Sequence, residues 1–482
     1  MTDLAAADPR RPALTCGGQT VTRGELESTA NRLARHYEQL GVQQGDFVTV
    51  ALPNGIEFVE ALYAIWKLGA VPQPLSWRLP GPELERILAL ADPALVLGID
   101  APPGGRRGLP AGCVPDPALS DAPLPPRVSP AWKAPTSGGS TGLPKLIVSG
   151  TTAALDVEHM AARFRMHADQ VQLVPGPLYH NAPLMLTSIG SALGQHVVVM
   201  AKFDAHAALE LIGRHRVSFI NLVPTMMSRM LRALDERPRS YDLGTLEVVW
   251  HMGAPCPAWL KQRWIELVGP DRLHELYGST ETIAGTSIDG REWLERRGSV
   301  GRPAYGEMKV VDGDGRPLPA GEVGEIIVRR TPGTPPTYRY VGATAQMRGA
   351  GWEALGDMGW MDEDGYLYLV DRRPDMLLVG GANVFPAEVE AVILAHPQVL
   401  SCLVVGLPDE DLGQRVHAVV QADGVLEGDA LLRFVGERLS RNKVPRSVRF
   451  IDEPLRDDAG KVRRAAVREA ELARLNEESP IS

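Results

Sequence analysis

The sequence predicts an α/β protein: a large N-terminal domain of layered parallel sheets with helices, a β-rich subdomain near its end, and a small α+β domain at the C-terminus. Three observations carry this prediction. Apolar strands alternate with amphipathic helices over residues 23–100 and again over 146–300, the pattern of a parallel sheet covered by helices. Residues 301–370 change character, with short β runs separated by Gly/Asp turns such as Asp312-Gly313-Asp314-Gly315, which read as hairpins. Beyond Asp371-Arg372-Arg373-Pro374 the last ~110 residues hold a compact α+β pattern, the size of one small domain.

Element by element, residues 23–40 read as an amphipathic helix, 47–52 as a buried strand and 56–68 as a second helix. The Pro-, Gly- and Ala-rich stretch 101–130 lacks periodicity and reads as a long surface connection. The alternation then resumes with a strand at 197–200, a helix at 207–215, a strand at 218–223 and a helix at 225–234. Residues 308–311 and 325–328 are the clearest strands of the β-rich part. The expected division is residues 1–371, a hinge at 372–375, and 376–482.

A chain of 482 residues exceeds one core. Its 44% apolar and 23% charged composition is that of an ordinary soluble protein. A formal charge of −9 argues against general nucleic-acid binding, so anionic substrates must be held by local positive sites. Cys16, Cys113, Cys256 and Cys402 are far apart with no CxxC, which disfavours a zinc site or a disulfide framework. No apolar run of about 18 residues indicates a membrane span, and the N-terminus lacks a secretory pattern. The expected location is the cytoplasm, and the expected state a monomer or homodimer.

The most informative segment is Thr136-Ser137-Gly138-Gly139-Ser140-Thr141-Gly142-Leu143-Pro144-Lys145, followed by an apolar run. Glycines let backbone N–H groups approach phosphate oxygens, hydroxyls add donors, and the lysine adds a point charge. It is not a P-loop, because no GxxxxGK[ST] reads through it. A surface Gly/Ser loop explains the same residues when they are taken alone.

Further segments keep it company: His251-Met252-Gly253-Ala254-Pro255, Leu276-Tyr277-Gly278-Ser279-Thr280-Glu281, Leu355-Gly356-Asp357-Met358-Gly359, Asp371-Arg372-Arg373-Pro374-Asp375 running on through Gly380-Gly381, and Asp458-Ala459-Gly460-Lys461. In order, spacing and content these resemble the adenylate-forming superfamily: acyl- and aryl-CoA synthetases, nonribosomal-peptide adenylation domains and luciferases. The resemblance covers nearly the whole chain. The Ser-Gly-Gly-Ser-Thr-Gly-x-Pro-Lys loop, with Trp132 before it and Pro177-Leu178-Tyr179-His180-Asn181-Ala182-Pro183 after it, is most similar to the bile-acid-CoA-ligase-like subgroup.

The resemblance implies ATP-dependent formation of an acyl-adenylate and pyrophosphate from a carboxylic acid. Ser140, Thr141, Gly142 and Lys145 would hold the phosphates. Glu281 would give Mg²⁺ a hard oxygen ligand, with Thr280 on the α-phosphate and Gly278 and Ser279 beside it. Asp357 would accept the ribose hydroxyls, backed by Arg372. Gly253, Ala254 and Pro255 would wall the adenine, with Tyr277 on its other face. Lys461 would bridge carboxylate and α-phosphate as charge builds. His180 would line the acyl pocket with Asn181, Met185, Val223, His251 and Met252; a satisfied core histidine is its other reading. Asp357 and Glu281 as solvated loop carboxylates, and Lys461 as one more exposed lysine, are the alternatives that the ordered set disfavours.

Relatives swing the C-terminal domain after adenylation, so the resemblance implies a mobile lid whose Gly380 and Gly381 line a pantetheine tunnel. The swivel position, usually Lys or Asp, is Pro374 here, which fixes φ and restricts Arg373. Two acceptors therefore stand open: CoA, making an acid–CoA ligase, or a free amine, making an amide synthetase. A stand-alone adenylation domain loading a carrier protein is third. The pocket windows are apolar and contain no lysine or arginine, so the expected acid is a hydrophobic or aromatic mono-acid.

Overall fold

The computed structural model describes residues 1–138, 144–238, 240–372, 375–379, 382–409, 411–453, 455–456 and 464–478. Among these, the central feature is a nine-stranded sheet. Its strands Pro12–Cys16, His196–Val199, Val171–Val174, Phe219–Leu222, Val248–Met252 and Leu273–Gly278 are parallel, and antiparallel strands flank them at both edges. A second sheet, Val71–Pro74, Phe47–Val50, Leu95–Gly98 and Gly108–Pro110, is parallel throughout. Helices Arg23–Gln39 and Ile56–Lys67 lie between the two sheets, joining Leu14 and Val197 on one side to Val48 and Leu95 on the other in a single apolar core.

Local chemistry sets the element ends. Thr22 and Glu25 form a reciprocal capping box that starts the helix at Arg23. Asp204 accepts from the Ala207 N–H at 2.8 Å, so that helix begins at Ala205, two residues before the sequence expectation. Pro224 occupies the first turn of the helix Pro224–Glu236, where its missing N–H costs nothing.

The stretch 101–130 is corrected in part. It is mainly turn and coil, but Gly108–Pro110 adds a parallel edge strand to Leu95–Gly98. A Cβ on Gly108 would stand 2.1 Å from the Ile99 carbonyl oxygen, so glycine permits that pairing. Three residues rich in Gly and Pro carry no periodicity from which to read a strand.

A three-stranded antiparallel sheet joins Thr136–Gly138, Pro144–Ser149 and Tyr338–Val341. The β-rich subdomain is antiparallel and built on Glu307–Val311, Gly324–Arg329, Glu353–Met361 and Leu367–Arg372. Gly301 seats it against the large sheet: its φ is +97°, and a Cβ there would lie 2.1 Å from the Ser287 carbonyl oxygen.

The C-terminal part holds its own core, with Val389, Ile393, Val404, Val420, Leu431 and Val435 packed together. Strands Val399–Asp409 and Gly413–Ala422 pair antiparallel, and Ser447–Ile451 joins parallel. Glu390, on helix Pro386–Ile393, is a buried node. It accepts from the Val404 N–H at 2.9 Å, from Arg456 at 3.1 Å and from Arg464 at 2.6 Å. Arg464 also reaches Asp375 at 3.4 Å. No helix among the described residues is long and apolar enough to cross a membrane.

Candidate active site

The parallel strands Val171–Val174, Phe219–Leu222, Val248–Met252 and Leu273–Gly278 are in register and release their following loops at one edge of the sheet. Ligands of open α/β sheets bind at such carboxyl ends. The loops carry His180, Val223, Gly253 and Ser279–Glu281 respectively.

Glu281 follows the strand Leu273–Gly278 on a turn closed by the Thr282 N–H to the Ser279 carbonyl at 3.1 Å. Thr282 has φ +53°, a left-handed conformation that costs a β-branched residue about 1–3 kcal/mol. The Glu281 carboxylate is buried. It accepts from the Tyr340 hydroxyl at 2.6 Å and from Lys145 Nζ at 3.4 Å. Lys145 Nζ also stands 3.8 Å from the Tyr340 ring centroid, a cation–π contact. Burial, and then the bond to Glu281, push the Tyr340 hydroxyl far above the usual phenol range, so it stays a donor. Lys145 and Tyr340 come from neighbouring strands of the three-stranded sheet, where Tyr340 sits opposite Ile147. Ser140, Thr141 and Gly142 lie outside the described residues.

Tyr277 donates to Asp357 Oδ2 at 2.6 Å, tying the large sheet to the β-rich subdomain. Asp357 is opposite Arg372 across the antiparallel pair Glu353–Met361 and Leu367–Arg372. Gly278 lies under Tyr305, whose Oη would be 3.1 Å from a Cβ at that position. Gly253 has φ +85° and its Cα faces Val223, 3.9 Å from a Cβ built there. Ala254 and Pro255 continue that turn toward helix Ala258–Val268. Ser279 Oγ is buried without a protein partner among the described residues, a donor left for a ligand.

His180 is the N-cap residue of helix Asn181–Leu193, its ring 4.5 Å from that of Tyr179. Asn54 fixes this loop. It donates to the Gly176 carbonyl at 2.9 Å and the Met200 carbonyl at 3.1 Å, and accepts from the Leu178 N–H at 2.8 Å. Met185 and Met252 join Trp132, Phe219 and Trp250 in one apolar cluster.

His251 is corrected. Strand side chains alternate, and Val249 two residues earlier packs on the other sheet face, with Leu222 and Trp264. His251 is fully buried there, its Nδ1 3.9 Å from Glu275, which pairs with Lys261 at 2.5 Å. Burial pulls its imidazole down to about 4, so it is neutral. It does not face the Met185–Met252 cluster.

Three residues that contribute to this region were not anticipated. Tyr340 is 59 residues from Glu281, and only the aromatic alternation Tyr338-Arg339-Tyr340 hinted at it. Asn54 sits in an unremarkable Pro-Asn-Gly turn. Lys133, beside Trp132, is buried and donates to Asn181 Oδ1. Lys461, Pro374, Gly380 and Gly381 lie outside the described residues.

Residues 2–338 match the AMP-binding enzyme family, and residues 388–461 match the AMP-binding enzyme C-terminal domain. The chain belongs to the AMP-binding enzyme family. It is thus an adenylate-forming ligase, as the ordered motifs imply. It is 34% identical to a feruloyl-CoA synthase from an Amycolatopsis species over 96% of each chain. The fold superposes on o-succinylbenzoate CoA synthetase from Bacillus subtilis, solved with its acyl-adenylate intermediate. There the TM-score is 0.83 and the identity 26%, over 97% of each chain. It also superposes on the amide bond synthetase McbA from Marinactinospora thermotolerans with TM-score 0.79 and 27% identity, over 96% of this chain and 97% of that one.

Proposed function

We propose that this AMP-binding enzyme activates a carboxylic acid with ATP to an acyl-adenylate, releasing pyrophosphate, and then transfers the acyl group to CoA. The observation that carries the reading is the Lys145–Glu281–Tyr340 cluster, together with the Tyr277–Asp357 pair formed from the strand that precedes Glu281. One unit supplies a cation and a carboxylate for a polyphosphate; the other presents a fixed acceptor for a ribose. The coenzyme A ligase named among the similar proteins favours a thioester product.

In this reading the acid's own carboxylate, ionised at neutral pH, attacks the α-phosphorus. Lys145 holds the leaving pyrophosphate, together with Ser140, Thr141 and Gly142 of the loop before it. Asp357 binds the ribose hydroxyls, with its orientation set by Tyr277 and Arg372 supporting it across the strand pair. Gly253, Ala254 and Pro255 pack against adenine. Thr280 and Ser279 donate to the α-phosphate. Glu281 would hold Mg²⁺, which neutralises charge on the phosphates; its buried, charge-paired carboxylate fits a hard cation. Lys461 stabilises the charge that develops between carboxylate and α-phosphate. His180 closes the acyl pocket near Met185, Val223 and Met252. Residues 376–482 act as the lid, hinged near Pro374, with Gly380 and Gly381 beside the pantetheine arm.

The second reading, capture of the adenylate by an amine, is favoured by Pro374 at the swivel and by likeness to an amide bond synthetase. Product analysis with ATP, Mg²⁺ and a panel of aryl and fatty acids decides between them, with CoA in one reaction and simple amines in another. A thioester establishes the ligase; an amide without thioester establishes the alternative. Lys461→Ala should abolish ATP–pyrophosphate exchange, and unchanged exchange sinks its assignment.

A further inference from the structure

Lys133 is 3% exposed, and its only polar partner among the described residues is Asn181 Oδ1. Its Nζ lies 4.2 Å from the centroid of the Trp132 ring. No carboxylate among the described residues pairs with it. It also stands at the start of the 13-residue helix Asn181–Leu193, whose N-terminal dipole is positive and whose N-cap makes no side-chain bond. A buried ammonium at the positive end of a helix, without a counter-ion, is an arrangement a protein core does not favour. Burial accordingly draws the amine down to about 7.

The position matters because of what surrounds it. Trp132 belongs to the apolar cluster that holds Met185 and Met252, two residues of the proposed acyl pocket. Asn221 is a second polar side chain on the cluster's face of its strand. On strand Phe219–Leu222 it shares the face of Phe219, which packs in that cluster, and its buried Nδ2 has no partner among the described residues. The apolar cluster is thus bordered by a lysine with one bond out of three possible and by an unused amide donor.

We propose that Lys133, with Asn181 and Asn221, forms a polar end to the acyl pocket and selects acids that carry a second acceptor oxygen at the end remote from the reacting carboxylate. This rests on the acid-activating reading above. It goes beyond the expectation of a hydrophobic or aromatic mono-acid, which followed from the absence of Lys or Arg in the pocket's own sequence windows. An anionic oxygen would supply the missing counter-charge and restore the full ammonium, and a phenolic oxygen would accept from the idle donors. A hydrocarbon terminus would leave the spare lysine donors and the Asn221 amide without acceptors.

The test is the rate of AMP release, saturating in ATP, with three matched acids: 3-phenylpropanoic, 3-(4-hydroxyphenyl)propanoic and 3-(4-carboxyphenyl)propanoic acid. The wild type is expected to favour at least one oxygenated acid by about tenfold or more in kcat/KM. The hydroxy and carboxy arms separate a phenol from a second carboxylate. Lys133→Met and, independently, Asn181→Leu should abolish that preference, with the loss falling on KM for the oxygenated acids and exceeding any change with 3-phenylpropanoic acid by about tenfold. Equal kcat/KM for all three acids in the wild type overturns the proposal, as does a loss in Lys133→Met that is uniform across them. Thermal melting of both variants identifies misfolding, in which case Lys133→Gln replaces the failed variant. No AMP from any of the three acids or from the wider panel would instead remove the acid-activating reading itself.

Discussion

Glu281 is held by two groups of opposite kinds, the neutral Tyr340 hydroxyl and the Lys145 ammonium. Removing its charge leaves the lysine, and the Mg²⁺ proposed to bind there, without their anion. Glu281→Gln should lower ATP–pyrophosphate exchange by about 10²-fold or more, with the Mg²⁺ dependence shifted to higher concentration. Exchange within threefold of wild type would show that the carboxylate is structural only. Tyr277→Phe removes the hydroxyl's hydrogen bond to Asp357. It should raise KM for ATP by about five- to tenfold, the worth of one charge-assisted bond, with kcat little changed. A fall in kcat at constant KM would place Tyr277 in the chemistry. At this scale the sequence showed which residue types belong to the site, because each motif is local. It did not show Tyr340 or Lys133, whose contacts span 59 and 48 residues. It misplaced His251 because a strand's parity cannot be read until a neighbour fixes which face is which.

At the scale of elements, two kinds of joint hold the site in place. Asn54 ties the loop after Val171–Val174 to the loop after His196–Val199 with three hydrogen bonds. Asn54→Ala leaves buried backbone groups unpaired and should cost about 2–3 kcal/mol, read as a lowered Tm. Gly301 is the other joint. Gly301→Ala places a Cβ against the Ser287 carbonyl at a strained φ, and should both lower Tm and raise KM for ATP, because the subdomain that carries Asp357 must shift. An unchanged KM with a lowered Tm would mean that the shift does not reach Asp357. Long amphipathic helices and the apolar strands of the parallel sheets were legible from periodicity. The edge strand Gly108–Pro110 was not, since backbone pairing rather than side-chain pattern makes it.

For the whole molecule, stability should depend on pH through a group far from the active site. Burial, then repulsion from Glu57, raises the Glu60 carboxyl to about 7. The folded chain therefore binds a proton that the unfolded chain has released, so this term destabilises progressively as pH rises from near 4.5 to near 7 and is constant above. Glu60→Gln should remove that slope and raise stability at pH 8 by on the order of 2 kcal/mol, measured by denaturant unfolding. An identical slope in the variant would assign the pH dependence elsewhere.

The Glu390 node has a consequence for recombination. One carboxylate fastens Arg456 and Arg464, which flank residues 457–463, to the strand at Val404, and Arg464 reaches back to Asp375. A chimera that takes residues 375–478 from one parent inherits the whole fastening. A crossover placed between 391 and 455 would separate the acid from its arginines, stranding a buried charge, and such hybrids should fail to fold unless both parents carry the same set.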